Sequence, residues 1–150
     1  MKVVIQRVLR AGVRIDQTVH ASIGEGLVVL VGVEKGDDEN TATAAAEKIA
    51  DLRIFAKHRG KDDRMGRSVL DVGGEILVIS EFTLAGSLRR GHRPSFDGAA
   101  PAPAAEAIYR RVAEVLHERG IPVRTGVFGA MMQVELVNDG PVTFVLETGR

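Results

Sequence analysis

The stretch "GLVVLVGV", Gly26 to Val33, constrains the fold more than any other part of the chain. Its leucines and valines follow one another without the polar alternation of a half-exposed strand, so it reads as a strand covered on both faces. "EILVISEF", Glu75 to Phe82, has the same character. Strands of this kind need a layer on each side. A chain of 150 residues with 45% hydrophobic content is long enough to supply those layers around one core and too short to suggest two domains. The runs "KVVIQRVL", "VRI", "MMQVELV" and "VTFVLE" are also rich in Val, Ile and Leu and read as further strands.

Helical periodicity occurs twice. From about Asn40 to Ala56, the residues Ala42, Ala45, Ile49, Leu52 and Ala56 recur at three- and four-residue spacing, with Thr41 or Asn40 as the expected cap. From about Ala102 to Arg119, Ala105, Ile108, Tyr109, Val112, Val115 and Leu116 form the apolar side, and Gly120 and Pro122 are stop signals. The predicted architecture is α+β with α/β-like character: a single domain over residues 1–150, in which a mixed sheet of about six strands packs with two main helices. Lys57 to Gly74 and Ala85 to Pro101 are polar and glycine-rich, and are expected to be loops where substrate contacts lie.

Several chemistries are excluded or unsupported. With no cysteine, the chain has no disulfide, thiolate nucleophile or cysteine-ligated metal. "GVEKGDD" lacks the lysine–hydroxyl pair of a phosphate loop, "GEG" lacks the third glycine of a dinucleotide fingerprint, and no G-x-S-x-G elbow occurs. The four histidines, His20, His58, His92 and His117, stand apart in sequence, so neither a metal nor another cofactor is expected. Twenty basic and twenty acidic residues cancel, which argues against nucleic-acid binding by overall charge but leaves local patches open. No apolar run approaches the roughly 18 residues of a membrane span, and a soluble cytoplasmic protein is expected.

Four stretches remain as candidates. In "ISEFTLAG", Ser80, Glu81 and Thr83 near the end of a buried strand are placed for a pocket mouth, with Phe82 packing the opposite way; the same hydroxyls would equally serve to satisfy backbone groups at a sheet edge. In "RTGVFGAMMQV", small residues surround Phe128, and Phe128, Gly129, Ala130 and Met132 are candidate substrate contacts, or else a bulge packed on the core. "SLRRGHRPSF" gathers Arg89, Arg90, His92 and Arg93 on a loop, where the arginines suit phosphates or are merely solvated. "LVNDGPVTFVLE" places Asp139 and Gly140, a hairpin signal, before Pro141, which has no N–H to give a ladder.

Taken in order and spacing, "SEFTL", "RRGHRPSF", "TGVFGAMM" and "NDGPVT" resemble the D-aminoacyl-tRNA deacylase family, and "MKVVIQRV" and "ERGIPVRTG" extend that resemblance over essentially the whole chain. The family usually has glutamine where this chain has Glu81, which replaces a side chain able to donate by one that only accepts when ionised. The resemblance implies hydrolysis of the ester joining a D-amino acid to the terminal ribose of tRNA, with glycine mischarged on tRNA(Ala) as a further substrate. It also implies a homodimer in which Gly140 and Pro141, joined by a cis peptide bond, enter the partner's pocket and select chirality. A cis bond is inexpensive only before proline, which accounts for Pro141 in that motif. Carbonyl oxygens there can hold the substrate's α-amine, so that an L side chain meets main chain while a D side chain points outward.

By the same resemblance, Ser80, Glu81, Phe82 and Thr83 form the catalytic segment. The tRNA-contacting residues are Arg89, Arg90 and Arg93, directed at the acceptor end. No base stands at a fixed sequence spacing to activate Thr83 as a nucleophile. The favoured route is attack by water assisted by the ribose 2′-hydroxyl, with backbone N–H groups near Phe82 and Thr83 stabilising the oxyanion and Glu81 as a lesser candidate for general base. A small-molecule Ser/Thr esterase and a non-catalytic dimeric interaction module are the alternative readings.

Overall fold

In the computed structural model, which describes residues 1–148, the two uninterrupted apolar runs lie side by side. Strands β3 (Gly26–Gly32) and β6 (Glu75–Ser80) pair in parallel, with Leu27 opposite Ile76 and Val29 opposite Val78. Both are buried on either face, as their composition requires. Helix α1 (Glu39–Asp51) lies in the connection between them. Helix α2 (Ala102–Glu118) leads from β6 to β7 (Val123–Thr125), which pairs in parallel on the far edge of β6.

The helices cover one face of the sheet. Ala42, Ala45, Ala46 and Ile49 of α1 and Ile108, Val112 and Leu116 of α2 share a core with Ile5, Leu27, Val29, Ile76 and Val78. On the other face, Val28, Leu77 and Ile79 pack with Val8, Ala11, Val13 and Ile23. The sheet therefore curls over itself, and its mixed character agrees with the predicted class.

Helix α1 starts and stops earlier than periodicity suggests. Its cap is Asp38, whose carboxylate accepts from the Thr41 N–H at 2.8 Å while the Thr41 hydroxyl accepts from the Asp38 N–H at 3.3 Å, a capping box in which Thr41 is the partner and not the cap. The helix ends at Asp51, and Leu52 is already extended because Ile54 and Phe55 turn inward to be buried. Helix α2 falls within one residue of expectation, and Gly120 after it takes φ +82°, the left-handed stop.

Three strand expectations are corrected. "KVVIQRVL" and "VRI" are one strand, β1 (Lys2–Ile15), whose first half pairs antiparallel with β3 and whose second half pairs with β2 (Thr18–Ile23). The supposed loop after Lys57 contains a hairpin of β4 (Phe55–His58) and β5 (Asp62–Arg67). Its strands escaped notice because "DDRMGR" buries nothing and is held instead by pairing and by Arg67, whose Nε donates to the Ala56 carbonyl at 2.7 Å. Third, Asn138 to Pro141 do not turn a hairpin. "QVELV" of the first run and "VTFVLE" belong to one strand, β8 (Gln133–Glu147), which Met131 and Met132 precede and which runs antiparallel along the free edge of β1 from Arg14 back to Lys2. A partner of 14 residues on one side outweighs the local turn signal, since pairing both halves to it satisfies more backbone than pairing them with each other.

The turn residues form a bulge instead. Val8 faces Asn138 and Gln6 faces Thr143, so the four residues between them on β8 stand opposite Arg7 alone. The Gly140–Pro141 peptide in this bulge is cis. The Asn138 side-chain amide spans the bulge, donating to the Arg7 and Val142 carbonyls, each at 2.9 Å. Arg7 donates to the Asp139 carbonyl at 3.1 Å and to the Ile54 carbonyl at 2.7 Å, and Arg59 from the β4–β5 hairpin reaches the Asp139 carboxylate at 2.8 Å.

Candidate active site

After Ser80 the backbone holds to the sheet for one more residue, because the Glu81 N–H donates to the Val31 carbonyl at 2.8 Å. It then winds into a single 3-10 turn, Phe82–Ala85, fixed by bonds from Leu84 N to Glu81 O at 3.2 Å and from Gly86 N to Thr83 O at 2.9 Å. The N–H groups of Phe82 and Thr83 have no acceptor among the described residues. The turn rests directly on Gly32, where a Cβ would lie 2.7 Å from the Leu84 Cβ and 3.0 Å from the Glu81 carbonyl oxygen.

The opposite wall follows β7. Gly126 donates to the Val78 carbonyl at 3.2 Å and brings the chain against β6, and Val127 to Ala130 form a turn with Gly129 at φ +75°. Met132 folds back beneath it, its Sδ 3.4 Å from the Val127 N–H. Between the two walls lies a cavity of about 560 Å³ lined by Ser80 to Thr83 and by Phe128 to Met132, within the range of small-ligand sites. Its remaining lining includes Val33, Ala99, Ala100, Ala102 and Ala105. Nothing in the sequence marked these residues as site lining, since alanine and valine carry no reactive group and only their small size matters here.

Phe82 does not pack away from the pocket. It lines the mouth, 58% exposed, with its ring 5.1 Å from that of Phe96 and tilted by 56°. The Thr83 hydroxyl donates to the Glu81 carboxylate in a short contact, so an acceptor that sequence spacing did not single out stands beside it.

Phe128 is supported from below by Tyr109, the rings 6.0 Å apart. The Tyr109 hydroxyl donates to the Val78 carbonyl at 2.9 Å, and burial pushes its pKa up to about 12. An unfolded tyrosine titrates near pH 10, so this contribution to stability is intact below about pH 10 and is lost as pH rises through about 12. Because the chain has one tyrosine, phenolate absorbance reports the group directly. We expect a folded-state midpoint near 12 and, for Tyr109→Phe, a loss of about 1 kcal/mol in urea unfolding at neutral pH. A midpoint near 10 in the folded protein would contradict this account.

The arginine loop meets the cavity mouth through Phe96, but the arginines do not line the cavity; Arg89 and Arg90 line a separate surface pocket with Lys2 and Glu34. Ser87 and Ser95 close their loop with paired backbone bonds of 2.7 and 3.0 Å, and Phe96 carries it to Phe82. Arg89, Arg90 and Arg93 are exposed and make no ion pair among the described residues. Gly140 and Pro141 are also exposed but do not line the cavity of their own chain. A shallow groove lined by Val19, Ile23, Leu136 and Val137 together with Arg10, Ser22 and Glu135 shares Val134 with the cavity.

Residues 4–147 match the model of a family described as D-Tyr-tRNA(Tyr) deacylase. A D-aminoacyl-tRNA deacylase of Geobacter sulfurreducens is 53% identical over 148 residues, covering 99% of this chain and 95% of the relative. One from Anaeromyxobacter dehalogenans is 51% identical over 150 residues, covering 100% and 99%. Among solved structures, a c-Myc DNA unwinding element binding protein superposes with a TM-score of 0.93 at 39% identity, covering 100% of both chains. A probable eukaryotic D-amino acid tRNA deacylase shares the fold, with a TM-score of 0.82 at 15% identity over 97% of each chain.

Proposed function

The chain belongs to the D-Tyr-tRNA(Tyr) deacylase family, and we infer from that premise and from the cavity that it is an ester hydrolase which cleaves D-aminoacyl-tRNA into free tRNA and a D-amino acid. The observation that carries the reading is the convergence of "SEFTL" and "TGVFGAMM", 40 or more residues apart, on one cavity beside an arginine loop. The direct test is deacylation of paired D- and L-tyrosyl-tRNA by the purified protein. Hydrolysis of the D form with sparing of the L form is expected, and equal rates would refute chiral selection.

Within this function the chemistry runs on water. The ester carbonyl sits with its oxygen toward the free N–H groups of Phe82 and Thr83, which hold the charge that develops on attack. The ribose 2′-hydroxyl, adjacent to the ester, orients or activates the water. Glycyl-tRNA(Ala) is a second substrate, since glycine has no side chain to exclude.

The working unit is a cytoplasmic homodimer. Gly140 and Pro141 are exposed, absent from their own cavity and braced by Arg7 and Asn138, as befits a segment presented to a second copy. The groove that meets the cavity at Val134, with Val19, Ile23, Leu136 and Val137 flanked by Arg10 and Glu135, supplies a face for that copy. In the dimer, the carbonyl oxygens of this segment hold the substrate's α-amine, and rigid main chain rejects an L side chain. No helix among the described residues is long and apolar enough to cross a membrane.

Arg89, Arg90 and Arg93 contact phosphates of the acceptor end. Replacing all three by glutamine should weaken binding of every tRNA alike and reduce the slope of log affinity against log salt by about one unit per lost contact. Filter binding between low and moderate salt measures this. An unchanged slope would leave the loop merely solvated.

A further inference from the structure

Glu81 is a carboxylate in the lining of a mainly apolar cavity, and no Lys, Arg or His pairs with it among the described residues. Its contact is the Thr83 hydroxyl. A threonine hydroxyl has one proton, and here that proton is committed to the carboxylate, so toward a ligand Thr83 offers only lone pairs. The two side chains together make an anionic corner that accepts and cannot donate. Such a corner favours a ligand that brings both a positive charge and N–H donors.

We propose that Glu81 is a specificity-determining residue whose carboxylate, held by Thr83, is the counter-charge for the protonated α-amine of the aminoacyl group. The inference rests on the D-aminoacyl-tRNA reading and deepens it. An α-ammonium has three N–H donors. Two are taken by the carbonyl oxygens already assigned to that role, and the third is left for this corner. The charge also matters to the chemistry, because an unpaired carboxylate close to the Phe82 and Thr83 N–H groups opposes the oxyanion they are to stabilise. An ammonium seated on Glu81 cancels that opposition. Glutamine at this position would accept the same N–H without demanding the charge, so this chain should discriminate more sharply than a glutamine variant between a charged amine and a neutral group of equal size.

The test compares D-phenylalanyl-tRNA with D-phenyllactyl-tRNA, in which a hydroxyl replaces the ammonium, at about pH 6.5, where an α-amine is mostly protonated. The readout is the ratio of kcat/KM for the two substrates, measured in the parent, in Glu81→Gln and in Thr83→Val. In Glu81→Gln the ratio should fall by about tenfold or more, the scale of one hydrogen bond to a charged group, with the phenyllactyl ester gaining in kcat. Thr83→Val, which keeps the carboxylate, should hold the parent ratio within about threefold. A ratio unchanged in Glu81→Gln, or one that collapses in Thr83→Val alone, overturns the proposal. If the parent hydrolyses no D-phenylalanyl-tRNA, the underlying reading fails instead, and that result is distinct from a change in ratio between active variants.

Discussion

A D-aminoacyl-tRNA esterified at the 3′ position and carrying hydrogen in place of its terminal 2′-hydroxyl is expected to be hydrolysed at least about a hundredfold more slowly than the natural substrate, the low end of what a positioned proton-transfer group contributes. The cavity offers one hydroxyl close to a possible base, Thr83 beside Glu81, and two free backbone N–H groups. Those parts can hold an oxyanion. For a covalent route, Glu81 would have to receive the threonine proton and later return it to the leaving ribose, and Thr83→Ala would then abolish turnover. For attack by water with the ribose as participant, Thr83→Ala loses only the contact that holds Glu81 and should retain activity within about tenfold. Single-turnover deacylation of both substrates by both proteins separates the routes. Full speed on the deoxy substrate together with collapse of Thr83→Ala would install Thr83 as nucleophile and remove the RNA-assisted mechanism.

The outcome depends on residues whose legibility in the sequence differs for physical reasons. β3 and β6 could be read because burial on both faces excludes polar residues and leaves an uninterrupted apolar run. β4 and β5 could not, because a hairpin held by backbone pairing and arginine contacts puts little under selection for apolar character. Asn138 to Pro141 misled for a different reason. A turn signal is local, whereas the long β1 partner that straightens β8 pairs from Arg14 with Gln133 to Lys2 with Glu147, at the other end of the chain. At the site, the polar residues of Ser80 to Thr83 and the small residues around Phe128 could be singled out by type, and Ser80 to Thr83 with Phe128, Gly129, Ala130 and Met132 line one cavity. The Thr83 to Glu81 contact did not, since it needs a 3-10 turn where the apolar pattern suggested a continuing strand. Gly32 carries no sequence signal of its own, yet the absence of its side chain lets that turn settle on the sheet.

Gly32→Ala is therefore expected to disable the cavity while leaving the fold in place. The added methyl would stand 2.7 Å from the Leu84 Cβ and 3.0 Å from the Glu81 carbonyl, neither of which is the free end of a flexible side chain. Relief comes from lifting the 3-10 turn, and the Phe82 and Thr83 N–H groups move with it. Overpacking of this kind costs about 1 to 3 kcal/mol of stability, which urea unfolding will register. A displacement near 1 Å at reacting groups can cost about a hundredfold in rate, so single-turnover deacylation should fall by that order in protein that is still folded. Because Gly140 and Pro141 lie outside their own cavity, the same variant is expected to remain a competent donor of that segment in the proposed dimer. Asn138→Ala, which releases the bonds spanning the bulge at the Arg7 and Val142 carbonyls, has the converse defect: an intact cavity with a loosened segment. Mixed dimers of the two variants should recover about one working site in two, with D over L selectivity restored at that site. Full activity in Gly32→Ala alone would show that the turn has room to spare. Failure of the mixed dimers to exceed either parent variant would place Gly140 and Pro141 outside the partner's cavity.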